Sequence, residues 1–275
     1  MRISGYNKET YLYINGLEVD EEIKLNENKT ILPVKIPPSL DIISQLVKND
    51  LDFGIAVIFS GQVFSQIKIT STDPKNLAVT AWNSQWDLVL ISAIFNCQVE
   101  CNLQCTQSAE NINCDSIFEI TNYHLYGLVE EPYKLTREDS VWLSKYYDNA
   151  QNLMENDAFI TAIHSLANYR WNSMPRIQLA ILWAGIESLF GIESELSYRV
   201  SLYISKFLSN DDNLRAKELY NEVRALYKAR SSAVHGSKIK GEQIQIVEQS
   251  ASILNKLIIK CITTNSMPDI ENLLF

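Results

Sequence analysis

The apolar period of this chain changes once, near residue 136, and that change limits its fold more than any other feature. Beyond it, apolar residues recur every three to four positions. The pattern predicts helices over 137–154, 157–171, 175–191, 195–209, 212–232 and 242–264, ended by polar or Gly/Pro punctuation such as Asn156-Asp157 and Gly241. Before it, short runs alternate with period two between Pro, Gly, Asn and Asp. The boundary is marked by EEPYKL at 130–135 and by Thr136-x-x-Asp139, which has the form of a helix-capping box. The expectation is an α+β chain, with a β-rich N-terminal domain over 1–134 and an all-α helical bundle over 135–275. A length of 275 residues and 46% hydrophobic content suffice for two buried cores.

In the N-terminal part, residues 11–14 and 30–36 read as strands, with Pro33 and Pro37-Pro38 favouring an edge, and 41–48 as a short helix. FGIAVIF (53–59), Ser60-Gly61 and QVFSQIKIT (62–70) read as a hairpin, and 73–76 as a turn. WDLVLISAIFN (86–96) is apolar on every side and fits a buried helix or strand equally. Four of the five cysteines, at 97, 101, 105 and 114, lie here. Cys97, Val99, Cys101, Leu103 and Cys105 alternate with polar residues, so a strand with core cysteines is the better reading than a metal site, which would favour paired C-x2-C spacing. Residues 117–128 read as a further strand, with His124 a packing residue.

Chemistry concentrates at 219–236, LYNEVRALYKARSSAVHG. Leu219, Val223, Leu226 and Tyr227 form one apolar helical stripe, followed by Arg230 and His235. On one regular helix these two side chains point about 140° apart, so an unbroken helix does not aim both at one atom. Ser231 and Ser232 compete for backbone hydrogen bonds and Gly236 suits a left-handed position, so a helix end is expected here with His235 upon it. Carbonyls at such an end favour a protonated imidazole. An imidazole beside a permanent guanidinium suits proton transfer where charge builds on phosphate oxygens, as in phosphodiester cleavage of RNA by its own 2′-hydroxyl. A plainer alternative uses the same residues: Arg230 as a surface or ion-paired side chain and His235 as a helix cap.

RSSAVHG resembles the R-x4-H motif of the HEPN superfamily. The wider order, LWAGIESLFG (182–191), YRVSLYISKFL (198–208) and LYKARSSAVHG (226–236), resembles its Apea-like branch over roughly the C-terminal half. The resemblance implies a helical, commonly homodimeric domain and a metal-independent endoribonuclease of a defence or toxin system, with RNA as substrate and no cofactor. It carries over Arg230 and His235 as the catalytic pair and Glu187 as the polar residue of an earlier helix. Ser231 stands where the superfamily often has Asn, Asp or His, and Lys228 is a further supporting residue. The other implied possibility is a non-catalytic dimer that binds nucleotide, RNA or a protein partner.

The net charge is −9, against unselective nucleic-acid binding by the whole surface. Residues 1–136 hold nine basic and seventeen acidic side chains, and 137–275 fifteen and sixteen. The segment 223–241 contains Arg224, Lys228, Arg230, Lys238 and Lys240 and no acid, so the motif sits in the most basic stretch. Arg170, Arg176 and Arg199 meet either RNA or acidic neighbours. MRISGYNKETY has no signal-peptide core, and the uncharged run IQLAILWAGI is ten residues, too short to span a bilayer. A cytoplasmic protein without a membrane segment is expected, its N-terminal domain meeting a trigger or partner. No phosphate-cradling glycine loop, GxSxG elbow or HExxH helix is present, which removes support for P-loop, serine hydrolase and zinc protease chemistry.

Overall fold

The computed structural model describes residues 2–124, 131–192, 196–210, 212–237 and 241–274. It is an α+β chain, with an antiparallel sheet in the N-terminal part followed by helices. Two compact units divide it, Met1–Ile91 with Cys97–Tyr147, and Ser92–Asn96 with Asp148–Phe275. The elements in chain order are β1 (Glu9–Asn15), β2 (Leu17–Glu18), β3 (Ile23–Lys24), β4 (Lys29–Pro33), α1 (Leu40–Leu46), α2 (Asp50–Ser60), β5 (Val63–Thr70), α3 (Pro74–Ile94), β6 (Glu100–Cys105), β7 (Phe118–Ile120) and β8 (Tyr133–Lys134). Then follow α4 (Arg137–Leu153), α5 (Asp157–Asn168), α6 (Pro175–Phe190), α7 (Leu196–Ser209), α8 (Asn213–Val234), α9 (Gln243–Thr264) and α10 (Ile270–Leu274). Among the described residues no helix is long and apolar enough to cross a membrane.

In the first unit the sheet runs β3-β4-β5-β1-β6-β7, and β2 pairs with β8 in a separate parallel ladder. Tyr13 stands opposite Gln66 and Leu103, and Leu12 opposite Ile67 and Gln104, so neighbouring residues of β1 serve opposite faces. Tyr11, Tyr13, Leu103, Cys105 and Phe118 pack with Ile43 of α1 and Ile55, Ala56 and Phe59 of α2. The other face, with Leu12, Ile31 and Ile67, is equally buried. There Lys29 of β4 meets Asp87 of α3 at 2.5 Å, with side-chain exposures of 9% and 3%.

Three helices interrupt a half expected to be mainly β. FGIAVIF is not a hairpin strand but most of α2. Asn49 caps that helix by accepting the Asp52 N–H at 2.9 Å, and Asp50 and Asp52 lie in its positive first turn. Burial of Ile55, Ala56 and Phe59 along one side then favours helix over a ladder. The 73–76 turn is the start of α3: Asp73 accepts the Asn76 N–H at 3.0 Å and Pro74 opens the helix. WDLVLISAI is helical within α3, though Trp82 and Trp86 stay 42% and 46% exposed.

The cysteine strand is present as β6. Cys97, Cys101, Cys105 and Cys261 are buried, but Cys114 is exposed, so the core reading fails for that one residue. Burial pushes the Cys101 thiol up to about 11 and the Cys261 thiol to about 12, which keeps both protonated and unreactive. The polar face of β6 is buried too: Gln104 donates to the Ser4 carbonyl at 2.7 Å and to Thr10 at 2.9 Å. Of the strand expected over 117–128 only β7 forms, and residues 125–128 lie outside the described residues.

Late in the first unit, Thr136 and Asp139 form the reciprocal cap ahead of α4, with Asp139 N–H to Thr136 Oγ1 at 3.1 Å and Thr136 N–H to Asp139 Oδ2 at 2.9 Å. The second unit follows its period closely. Asn156 and Asp212 cap α5 and α8 by accepting from two backbone N–H groups each. Helix α5 packs on α6, α7 on α8, and α9 on α6. Trp183, Phe159, Phe190, Ile186, Leu254 and Ile258 fill the core. Gly185 is demanded by packing, since a Cβ there would stand 2.7 Å from Ser165 Cβ. That close approach fixes the height of α6, and so of Glu187 two residues on.

Candidate functional site

Helix α8 runs unbroken through Ser231 and Ser232 to Val234. His235 is its C-terminal cap, and Gly236 takes the left-handed conformation at φ +72°. The expected helix end is therefore real, but it comes after the serines. The His235 N–H still donates to the Ser231 carbonyl at 3.1 Å. Because helix continues from Arg230 to Val234, the two motif side chains leave α8 on sides about 140° apart. A single chain does not gather them onto one atom.

The structure brings Glu187 and Arg230 together. Glu187 Oε2 of α6 accepts from Arg230 Nη2 of α8 at 3.0 Å, with side-chain exposures of 20% and 19%. Both groups keep unused capacity: Glu187 Oε1 and Arg230 Nε are buried without a hydrogen-bond partner. Burial raises the Glu187 carboxyl above its ordinary range, and Arg230 opposes that rise. Tyr227, one turn before Arg230, lies under the guanidinium, its ring centre 5.6 Å from Cζ. Burial also raises the Tyr227 phenol, with Glu187 adding and Arg230 opposing. Tyr227 meets Trp183 edge to face at 5.2 Å, and Trp183 donates from Nε1 to Ser250 at 3.2 Å. The ion pair thus rests on an aromatic floor tied to α9.

His235 and Lys228 are exposed and Ser231 is half-buried. Lys238 and Lys240 lie outside the described residues. Arg224, the remaining cation of the basic stretch, is exposed on α8.

Arg176, expected to meet RNA or acid, is bonded to backbone carbonyls among the described residues. Its Nη1 donates to the carbonyls of Ser232 and Ala233 at 3.3 and 3.0 Å, and its Nη2 to that of Ser237 at 2.7 Å. These contacts join residues 56 to 61 positions apart, so no local spacing announces them. Arg170 likewise donates to Asn96, through both its carbonyl and its side-chain oxygen. Burial lowers the affinity of His164, half-buried on α5, for its proton. No group of three or more metal-ligating side chains is assembled among the described residues.

Chemically, the site offers a guanidinium already neutralised on one edge, a raised carboxyl, and a solvent-accessible imidazole at a helix end. No protein-family model matches the chain, and neither a curated protein nor a solved structure gives a significant match.

Proposed function

We propose that the chain is a metal-independent endoribonuclease whose C-terminal unit is an Apea-like HEPN domain acting as a homodimer, an effector of a defence or toxin system. The observation that carries this reading is the Glu187–Arg230 pair, which joins the GIESLFG segment to the RSSAVHG segment at 3.0 Å and leaves the Arg230 Nε unused. His235, at the C-terminal end of the same helix, is exposed and could meet an oxygen of RNA. In the proposed reaction the RNA 2′-hydroxyl attacks the adjacent phosphorus and the 5′-oxygen leaves. His235 transfers a proton at one of those oxygens, and Arg230 stabilises the charge that builds on the phosphorane. The products are a 2′,3′-cyclic phosphate and a 5′-hydroxyl.

The 140° divergence along α8 is the reason a dimer belongs to the proposal. Two copies meeting at this end would supply Arg230 from one chain and His235 from the other. Met174, Ile177 and Val234, at 58%, 45% and 49% exposure, flank Arg176 and His235 in sequence and offer apolar area for such a contact. The acidic N-terminal part is proposed to meet a trigger or partner.

One observation favours the plainer alternative: Arg230 already has a carboxylate, and His235 caps its helix. The two readings separate on end-labelled RNA in excess EDTA, comparing wild type with Arg230→Ala and His235→Ala. The ribonuclease reading expects cyclic-phosphate ends and a loss on the order of 10²–10³-fold in each variant, with melting temperature within a few degrees. Equal cleavage by all three proteins, or none by a folded dimeric wild type at any RNA concentration, sinks it.

A further inference from the structure

Arg176 occupies an unusual position relative to the motif, and its contacts identify a role that neither Arg230 nor Glu187 fills. The last turn of any helix leaves carbonyls without intrahelical donors. At the end of α8 the Gly236 N–H reaches the Ala233 carbonyl only at 3.4 Å, a weak closure. The main donor there is instead a side chain from another helix. Arg176, in the first turn of α6 after Pro175, spans the turn from both sides. One nitrogen takes the carbonyls of Ser232 and Ala233, before His235, and the other takes the carbonyl of Ser237, after it.

The backbone of His235 and Gly236 is thus bracketed by a single planar group. A guanidinium can do this because its donors are held in a fixed fork, whereas an ammonium satisfies such carbonyls only as a point charge. Helix α6 consequently grips α8 twice, at Arg230 through Glu187 and at the His235 turn through Arg176. The two grips fix different things. Glu187 orients a side chain, and Arg176 orients the backbone from which the imidazole departs.

We infer that Arg176 is the positioning residue for His235, holding the 232–237 turn so that the imidazole is presented in one orientation; this rests on the ribonuclease reading for its catalytic consequence. Arg176 directs its donors to backbone carbonyls and is assigned no contact with RNA.

The test uses the full chain, with Arg176→Ala, Arg176→Lys and His235→Ala, and two readouts. In steady-state RNA cleavage, Arg176→Ala is expected to lower kcat on the order of tenfold or more with KM changed less than about twofold, because a misaimed group loses rate and not ground-state binding. Arg176→Lys recovers part of that loss. Added to His235→Ala, Arg176→Ala causes little further loss, as expected of a residue acting through the imidazole. In amide hydrogen exchange on the same proteins, the His235 and Gly236 N–H groups exchange at least about tenfold faster in Arg176→Ala, while Val223 in the middle of α8 is unchanged.

An unaltered kcat and unaltered exchange overturn the inference. A raised KM, or a loss that multiplies that of His235→Ala, also overturns it, since Arg176 would then be touching RNA. If wild type cleaves no RNA, the ribonuclease reading fails by itself. The positioning of His235 by Arg176 is then decided by the exchange measurement alone.

Discussion

Among the described residues, the most buried ion pair of each unit joins distant segments, and the two pairs are built differently. Lys29 and Asp87, in the N-terminal unit, are 9% and 3% exposed at 2.5 Å, and no buried polar atom of either is left without a partner. Glu187 and Arg230, in the C-terminal unit, are twice or more as exposed and leave one oxygen and one N–H unpaired. A sealed pair has given all its capacity to the fold. A half-open pair with spare donors keeps capacity for something that arrives later. On the ribonuclease proposal, that spare capacity belongs to the pair that would meet RNA.

The largest effect expected from this contrast is on stability. Lys29→Ala leaves the Asp87 carboxylate buried without its cation and should cost about 3–5 kcal/mol, read as a lowered denaturant midpoint at unchanged slope. Cleavage per folded molecule should stay at the wild-type rate. A cost under about 1 kcal/mol would mean that the pair is not sealed in solution, and the contrast would collapse.

Glu187→Gln is the matching change in the other unit. A carboxamide still accepts from Arg230, so the stability cost should be only about 1 kcal/mol. The guanidinium loses its charged anchor, and cleavage should fall on the order of tenfold. The proposal predicts opposite balances for the two pairs, stability without activity for Lys29 and activity with little stability for Glu187. A Glu187→Gln protein that is strongly destabilised yet cleaves normally would place both pairs in the same structural class.

How far the sequence foretold this arrangement differs between the units for a physical reason. In the helical unit the helices bury one stripe, and α5 and α8 are capped by their own neighbours, Asn156 accepting from the N–H groups of Ala158 and Phe159 and Asp212 from those of Leu214 and Arg215. Those signals are local, and the expected boundaries of α8 and α9 lie within two residues of the observed ones. In the N-terminal unit the sheet is covered on both faces, so FGIAVIF and WDLVLISAIF lack the one-sided pattern that separates a strand from a helix. The deciding signal for α2 was the Asn49 cap, a single side chain. The site divides along the same line. Arg230, His235 and Glu187 could be nominated from their segments, whereas Arg176 acts across 56 or more positions on backbone atoms that carry no residue identity.

A third buried carboxyl completes the series, because it has no cation at all among the described residues. Glu100 begins β6 opposite Asn15 of β1, and Glu100 Oε1 and Asn15 Oδ1 are both buried without hydrogen-bond partners. Burial raises the Glu100 carboxyl from 4.5 to about 7, against a smaller opposing hydrogen bond from Gln98. The folded state therefore holds this proton more tightly than the unfolded chain does. The stability that follows is fully present below about pH 4.5 and is lost as the pH rises to about 7. Above that, the folded protein carries a charged carboxylate in a poor solvent. Because Glu100 is not wholly enclosed, solvent screening reduces the effect to about 1 kcal/mol between pH 5 and pH 8. Glu100→Gln, neutral at every pH, should flatten the stability curve in that window and exceed wild type at pH 8. Parallel curves for the two proteins would show that Glu100 is charged and solvated throughout, and a carboxyl without a cation would then be no burden on this sheet.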